Sequence, residues 1–298
     1  MERGLQLQAM TKTFSIVGAG RLGTTLAAAL VRRGWKLEAV VDRDAGAARE
    51  ARRYAGSGRA TTSPAAAARA RGTVIIAVPD DAIGRAAAAL ARAGGSWEGR
   101  DVFHTSGLLP ASALAPLARR GARAASLHPA QSFPRKDLPA SVFKGITWGI
   151  EGDAAAVETG SGIVRSLGGH VLLFAAKDKA LYHAACTLAS NALVALEFLA
   201  AQVLQEAGLE GDTASRTLMP LVQGTLQNVK SLGLEKALTG PVLRGDVETV
   251  RRHLAALKVD PAARRVYRAL GQQMLRLAEK KGLPAARVRA LKSLLGGK

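Results

Sequence analysis

Short β-branched runs alternate with Ala-rich stretches over the first 176 residues, and purely helical patterns follow. Residues 14–17 (FSIV) form an apolar run that stops at Gly18. Residues 24–31 (TTLAAALV) then read as a helix ending at Gly34, and 37–41 as a second strand closed by Asp42-Arg43-Asp44. Further strands are expected at 73–78, 102–103 and 123–127, with helices near 81–93 and 111–120. Residues 145–150, 153–167 and 171–174 read as strand, helix and strand. From Lys177 onward the chain reads as helices broken at Gly208, Gly233, Gly240-Pro241, Asp260-Pro261 and Gly282-Leu283-Pro284. The pattern predicts an α/β fold: a doubly wound domain over 1–176 and an all-helical domain over 177–298.

The first turn carries candidate chemistry. Gly18-Ala19-Gly20-Arg21-Leu22-Gly23 lies between strand and helix. Gly18 permits the tight turn, Gly20 lets backbone approach a pyrophosphate, and Gly23 lets helix and strand pack closely. The helix N-terminus then faces the phosphates, with Arg21 and Leu22 in its first turn. Asp42, 19 residues past Gly23, stands where an acid accepts ribose hydroxyls. Arg43 beside it suits a 2′-phosphate or an adenine ring, so NAD and NADP both remain open. Strand ends line the ligand crevice in such sheets, which brings in Val78, Pro79, Asp80, His104, Thr105, Ser106 and His128. Asp80 and Ser106 also suit plain capping and turn duties.

The helical half opens on an uncharged stretch, 180–196, which reads as one buried helix. His183, Thr187, Ser190 and Asn191 follow helical spacing and form a polar stripe along it. Buried polar groups need partners, so the stripe marks a ligand crevice or an internal hydrogen-bonded seam. Arg244 could hold a substrate carboxylate or sit solvated before a helix start at Asp246.

Composition narrows the classes. The 298 residues carry 42 Lys+Arg against 23 Asp+Glu, a formal net charge of +19, which points toward anionic partners. The surplus is spread evenly, and aromatics are only 4%, so neither a basic arm nor a base-stacking platform for nucleic acid stands out. The single cysteine, Cys186, excludes a disulfide framework and multi-cysteine metal sites, and no metal is expected. No signal peptide or membrane span is read, so a cytoplasmic protein is expected, starting at Met1 or Met10.

Taken in order, GAGRLG (18–23), AVPDDAI (77–83), HTSG (104–107), LHPAQSFP (127–134), YHAACTLASN (182–191) and LTGPVLRGD (238–246) resemble a known family. It is the Rossmann-like oxidoreductase family whose C-terminal part is the domain of unknown function 2520. That family is similar to pyrroline-carboxylate reductases, ketopantoate reductases and phosphogluconate-dehydrogenase-like proteins. The resemblance implies NAD(P) binding by the first domain and a helical domain that often dimerises, so a homodimer is expected. It implies no defined substrate, and a small anionic one is expected from the basic charge surplus instead. Related dehydrogenases place a catalytic Lys four residues before an Asn. Asn191 matches the Asn, but position 187 is Thr. His183, one turn earlier, is the substitute proton donor, with His128 as the other choice and Asn191 and Ser106 orienting a carbonyl or imine; imidazoles titrate near neutrality. Two rival roles fit the same residues: a non-catalytic NAD(P) sensor or assembly protein, and a basic nucleic-acid-binding protein. Deazaflavin chemistry is a weaker analogy.

Overall fold

The apolar runs between glycines become strands because parallel strands covered on both faces need continuous apolar sequence. A computed structural model describes residues 12–209 and 211–296. The choice between Met1 and Met10 therefore lies outside the described residues. In chain order the elements begin β1 (Thr13–Val17), α1 (Arg21–Arg32), β2 (Lys36–Val41), α2 (Ala45–Ala55), β3 (Arg59–Thr61), α3 (Pro64–Arg69), β4 (Thr73–Ile76) and α4 (Asp80–Arg92). They continue with β5 (Asp101–His104), α5 (Ala115–Ala118), β6 (Arg123–Pro129), β7 (Thr147–Gly152), α6 (Ala154–Ser166) and β8 (His170–Leu173).

The strands make one sheet of order β3-β2-β1-β4-β5-β6-β7-β8, parallel throughout except where β7 runs antiparallel to β6. Strand order reverses between β1 and β4, and the crevice at such a switch point is where ligands bind. Phe14, Ile16, Leu26, Trp35, Phe103 and Trp148 fill one face of the sheet. Val41, Ile76, Leu90, Trp97 and Val102 fill the other. Asp44 and Asp153 accept backbone N–H groups at the starts of α2 and α6, caps worth about 1 kcal/mol each.

Several boundaries differ from the sequence expectation. β4 ends at Ile76, and β6 runs on through His128 and Pro129 because β7 pairs with both. The helix expected at 111–120 is a 3₁₀ turn, Ala111–Leu114, followed by the single turn of α5. The Ala-rich α2 and α3 and the short β3 carry too little apolar contrast to stand out in sequence, yet Ala48 and Ala51 of α2 are fully buried.

The helices that follow are α7 (Lys179–Ala189), α8 (Asn191–Glu206), α9 (Asp212–Leu232), α10 (Leu234–Ala237), α11 (Pro241–Arg244), α12 (Val247–Ala256), α13 (Pro261–Lys280) and α14 (Ala285–Gly296). The chain divides into two compact units, 1–188 and 189–298. The expected boundary at 176 falls too early, because Lys179 and Tyr182 tie α7 into the sheet. In the second unit Val242, Val250, Leu254, Leu275, Leu291 and Leu295 form the core. Asp246 and Asp260 cap α12 and α13, so Asp246 marks a helix start, and Arg244 is exposed beside it.

The single buried helix expected at 180–196 is corrected in two respects. Ser190, at φ −121° and ψ −72°, separates α7 from α8. The apolar side chains are also exposed: Leu181 and Leu188 on α7, Val194 and Phe198 on α8. Residues 176–206 have the length and apolar composition that could also cross a membrane, and none of their most apolar stretch is buried within this chain. Composition alone does not say what covers an apolar face.

Candidate functional site

The glycine turn forms as its spacing predicts. Gly18 sits at φ +106°, and a Cβ there would lie 2.3 Å from the Ala77 carbonyl oxygen, so no larger residue fits. A Cβ on Gly23 would lie 2.0 Å from the Gly18 carbonyl oxygen, which is the close helix–strand approach expected of it. Gly20 differs: its φ is −72° and nothing lies within 4 Å of where its Cβ would be. No side chain caps α1 at Gly20, whereas α2, α6, α12 and α13 all start on an Asp cap. The uncapped helix start and the open space before it fit a phosphate group.

A cleft of about 860 Å³ runs over this turn, lined by Gly18, Ala19, Gly20, Asp42, Arg43, Val78, Pro79 and Lys136 among others. The Asp42 carboxylate accepts the Ala19 N–H at 2.7 Å and the Asp44 N–H at 2.9 Å, bracing the glycine turn against the loop after β2. Lys136, unremarked in sequence, reaches the same cleft and pairs with Glu50 at 2.6 Å. Arg21 donates to the Pro134 carbonyl at 3.5 Å and is exposed. Asp80 lies in the first turn of α4, behind Pro79 at the cap position. Leu22 is half-buried against the core rather than in the cleft.

A second constellation stands at the ends of β5 and β6, on the same edge of the sheet. His104 is fully buried; its Nε2–H donates to the Pro110 carbonyl at 3.0 Å, and its Nδ1 accepts the Ser106 N–H at 3.2 Å. Thr105 is buried, its N–H donating to Ile76 O. Ser106 Oγ accepts the N–H groups of Leu108 (3.1 Å) and Leu109 (2.9 Å). That oxygen holds the turn, and its own O–H is left to donate. Gly107 is the hinge of the cluster: a Cβ there would meet His183 Cδ2 at 2.6 Å and His128 Nε2 at 2.8 Å. The two imidazoles stand edge to face, 5.8 Å between centroids. Tyr182 OH lies 3.0 Å from His128 Nδ1. Gly149 leaves the room this ring needs, since a Cβ there would lie 3.0 Å from the Tyr182 hydroxyl oxygen.

Burial pushes the Tyr182 phenol up, so it stays protonated beside His128 Nδ1. Burial, followed by repulsion from His183 and Lys179, pushes His128 down to about 4. His128 is therefore neutral near pH 7. His104, pushed down to about 4 chiefly by burial, is also neutral. Thr187 donates to the His183 carbonyl at 3.0 Å and is exposed. Asn191 is exposed at the head of α8 in the second unit, so the expected stripe does not continue along one helix.

The two neutral histidines set an acid limit on stability. An unfolded chain takes up protons near pH 6.5, while the folded chain refuses them until about pH 4. Stability contributed by these sites is complete above pH 6.5 and lost as pH falls toward 4, roughly 3 kcal/mol for each. Melting temperature should fall steeply across that window, and a flat profile there would contradict their burial as neutral groups.

Residues 2–129 match the model of a Rossmann-like domain, and residues 146–274 match the domain of unknown function DUF2520. The chain joins a Rossmann-like domain to a DUF2520 domain. This Rossmann–DUF2520 protein is similar over 90% of its length to protein TM1727 of Thermotoga maritima (26% identity, 99% of that chain, TM-score 0.72). It is similar over 89% to BF3122 of Bacteroides fragilis, whose designation as an NADP oxidoreductase is provisional (25% identity, 98% of that chain, TM-score 0.71). At the level of fold it also resembles an imine reductase from Myxococcus stipitatus in complex with NADP+ (16% identity, 94% of this chain, 99% of that one, TM-score 0.61). No curated protein matches its sequence. Among the described residues, no group of three or more His, Cys, Asp or Glu could hold a metal ion.

Proposed function

We propose that this Rossmann–DUF2520 protein is an NAD(P)-dependent oxidoreductase acting on a small carbonyl or imine. The observation that carries the reading is the His128–His183 pair around Gly107, on the same sheet edge as the glycine-turn cleft. When bound, the nicotinamide supplies or takes up the hydride. Gly18, Gly20 and the start of α1 hold the pyrophosphate, while Val78 and Pro79 line the cleft beyond it. His183, whose ring has no hydrogen-bond partner among the described residues of its unit, donates the proton to the substrate oxygen or nitrogen. His128, fixed by Tyr182, offers its Nε2–H as a neutral orienting donor. The NADP+ complex of the imine reductase noted above supports this choice of chemistry at the level of fold.

Arg43 and Lys136 on the cleft rim, with Asp42 already accepting two backbone N–H groups, favour a 2′-phosphate. NADPH should therefore raise the melting temperature more than NADH at equal concentration. A panel of small 2-oxo acids, ketones and cyclic imines should then oxidise NADPH. Stabilisation by neither cofactor would sink the proposal, and stabilisation without turnover on any panel member would favour a sensor. The exposed apolar faces of α7 and α8 suit a second copy of the chain, so light scattering on the same sample should give a dimer's mass.

A further inference from the structure

On the sheet face that carries Val74, Ile76 and Val102, the registered row turns polar beyond Ile76. His104 of β5, Ser126 of β6 and Glu151 of β7 stand side by side in register on it. Over them α7 places Lys179, only 1% exposed. Its Nζ donates to Ser126 Oγ at 2.5 Å and to the Ser106 carbonyl at 3.1 Å, with the Glu151 carboxylate 4.0 Å away and the Phe174 ring 5.7 Å away. Glu151 in turn accepts the Ala111 N–H at 2.7 Å. An ammonium has three donors, and these contacts draw together the loop after β5, the middle of β6 and β7. His183 follows four residues later, one turn along the same helix. Apolar packing would clamp α7 to the sheet without the desolvation cost of a buried ion pair.

We propose that Lys179 is a positioning residue for the reaction site: its buried ammonium anchors the loop carrying Gly107 and places a fixed positive charge beneath the histidine pair. This rests on the reading of that pair as the site of proton transfer. The charged and titratable groups around the ammonium are Glu151 from β7, His104 from β5, His128 from β6 and Asp80 from α4, with Tyr182, His183 and Cys186 on α7 itself. Glu151 and Asp80 favour the charged lysine, while burial pulls it down to about 8. The ammonium opposes protonation of both His104 and His128. It adds to burial and to His183 in keeping His128 neutral, and leaves proton delivery to His183.

Histidine side-chain NMR on the full chain, titrated from neutral pH into acid, tests this without any substrate. Lys179→Met should raise the midpoint of His128 by at least about half a pH unit, and Lys179→Arg should hold it near the wild-type value. Because Lys179→Met strands a buried carboxylate, the double variant Lys179→Met/Glu151→Gln keeps the test alive should the single one fail to fold. Amide exchange at Gly107–Leu109 should also quicken in the Met variants. An unmoved His128 midpoint in folded variants would overturn the proposal, even with NADPH turnover intact. A raised midpoint in a protein that turns nothing over would uphold it while the proposed function fails.

Discussion

Replacing His183 by alanine is expected to lower NADPH-dependent turnover about 10²–10⁴-fold, the usual contribution of a positioned proton donor. Cofactor affinity should stay within about twofold of wild type by thermal shift, because none of the side chains lining the glycine-turn cleft belongs to α7. The fold should tolerate the change. His183 makes no side-chain hydrogen bond among the described residues of its unit, and its ring rests against Gly107 and His128. His128→Ala is the informative companion. It should cost less in turnover, since His128 orients as a neutral donor, but more in stability, since it is half-buried and bonded to Tyr182. Turnover unchanged in His183→Ala would remove the assigned donor, and the larger loss in His128→Ala would exchange the two roles.

What the sequence disclosed, and what it hid, divides along physical lines. The cleft was legible because Gly18 and Gly23 are forced by local geometry, a positive φ and a helix touching a strand, which any sequence must meet with glycine. Strand-end residues such as His104 and His128 were legible for the same reason: their place follows from strand order alone. Lys179 was not. A lysine at a helix start ordinarily reads as solvated, and its burial depends on Ser126 and Glu151 arriving from strands whose pairing no local pattern specifies. Gly107 and Gly149 gave a faint signal, a glycine three residues past His104 and one next to Trp148, whose meaning appears only when the rings that fill their space are known. The misreading of 180–196 has another cause. Hydrophobicity reports that a face avoids water, without saying whether the same chain covers it.

The contrast between two glycines gives the sharpest test of the cleft. Gly20→Val should fold with a loss of at most about 1 kcal/mol, since φ −72° suits any residue and nothing lies within 4 Å of the added Cβ. The same side chain would stand in the space before the uncapped start of α1, keeping a pyrophosphate from its backbone N–H groups. Each charge-assisted hydrogen bond lost is worth about 1.5–3 kcal/mol, so two such losses weaken NADPH binding by roughly 100-fold or more. Gly18→Ala fails differently. It forces a side chain to φ +106° and to within 2.3 Å of the Ala77 carbonyl oxygen, so β1, β4 and the turn between β1 and α1 must shift together. That variant should lose more than about 3 kcal/mol of stability, seen as a depressed melting temperature without cofactor. A Gly20→Val protein that melts like wild type and still binds NADPH tightly would show that the pyrophosphate does not sit on this turn. The glycines would then serve the packing of α1 against β1 alone.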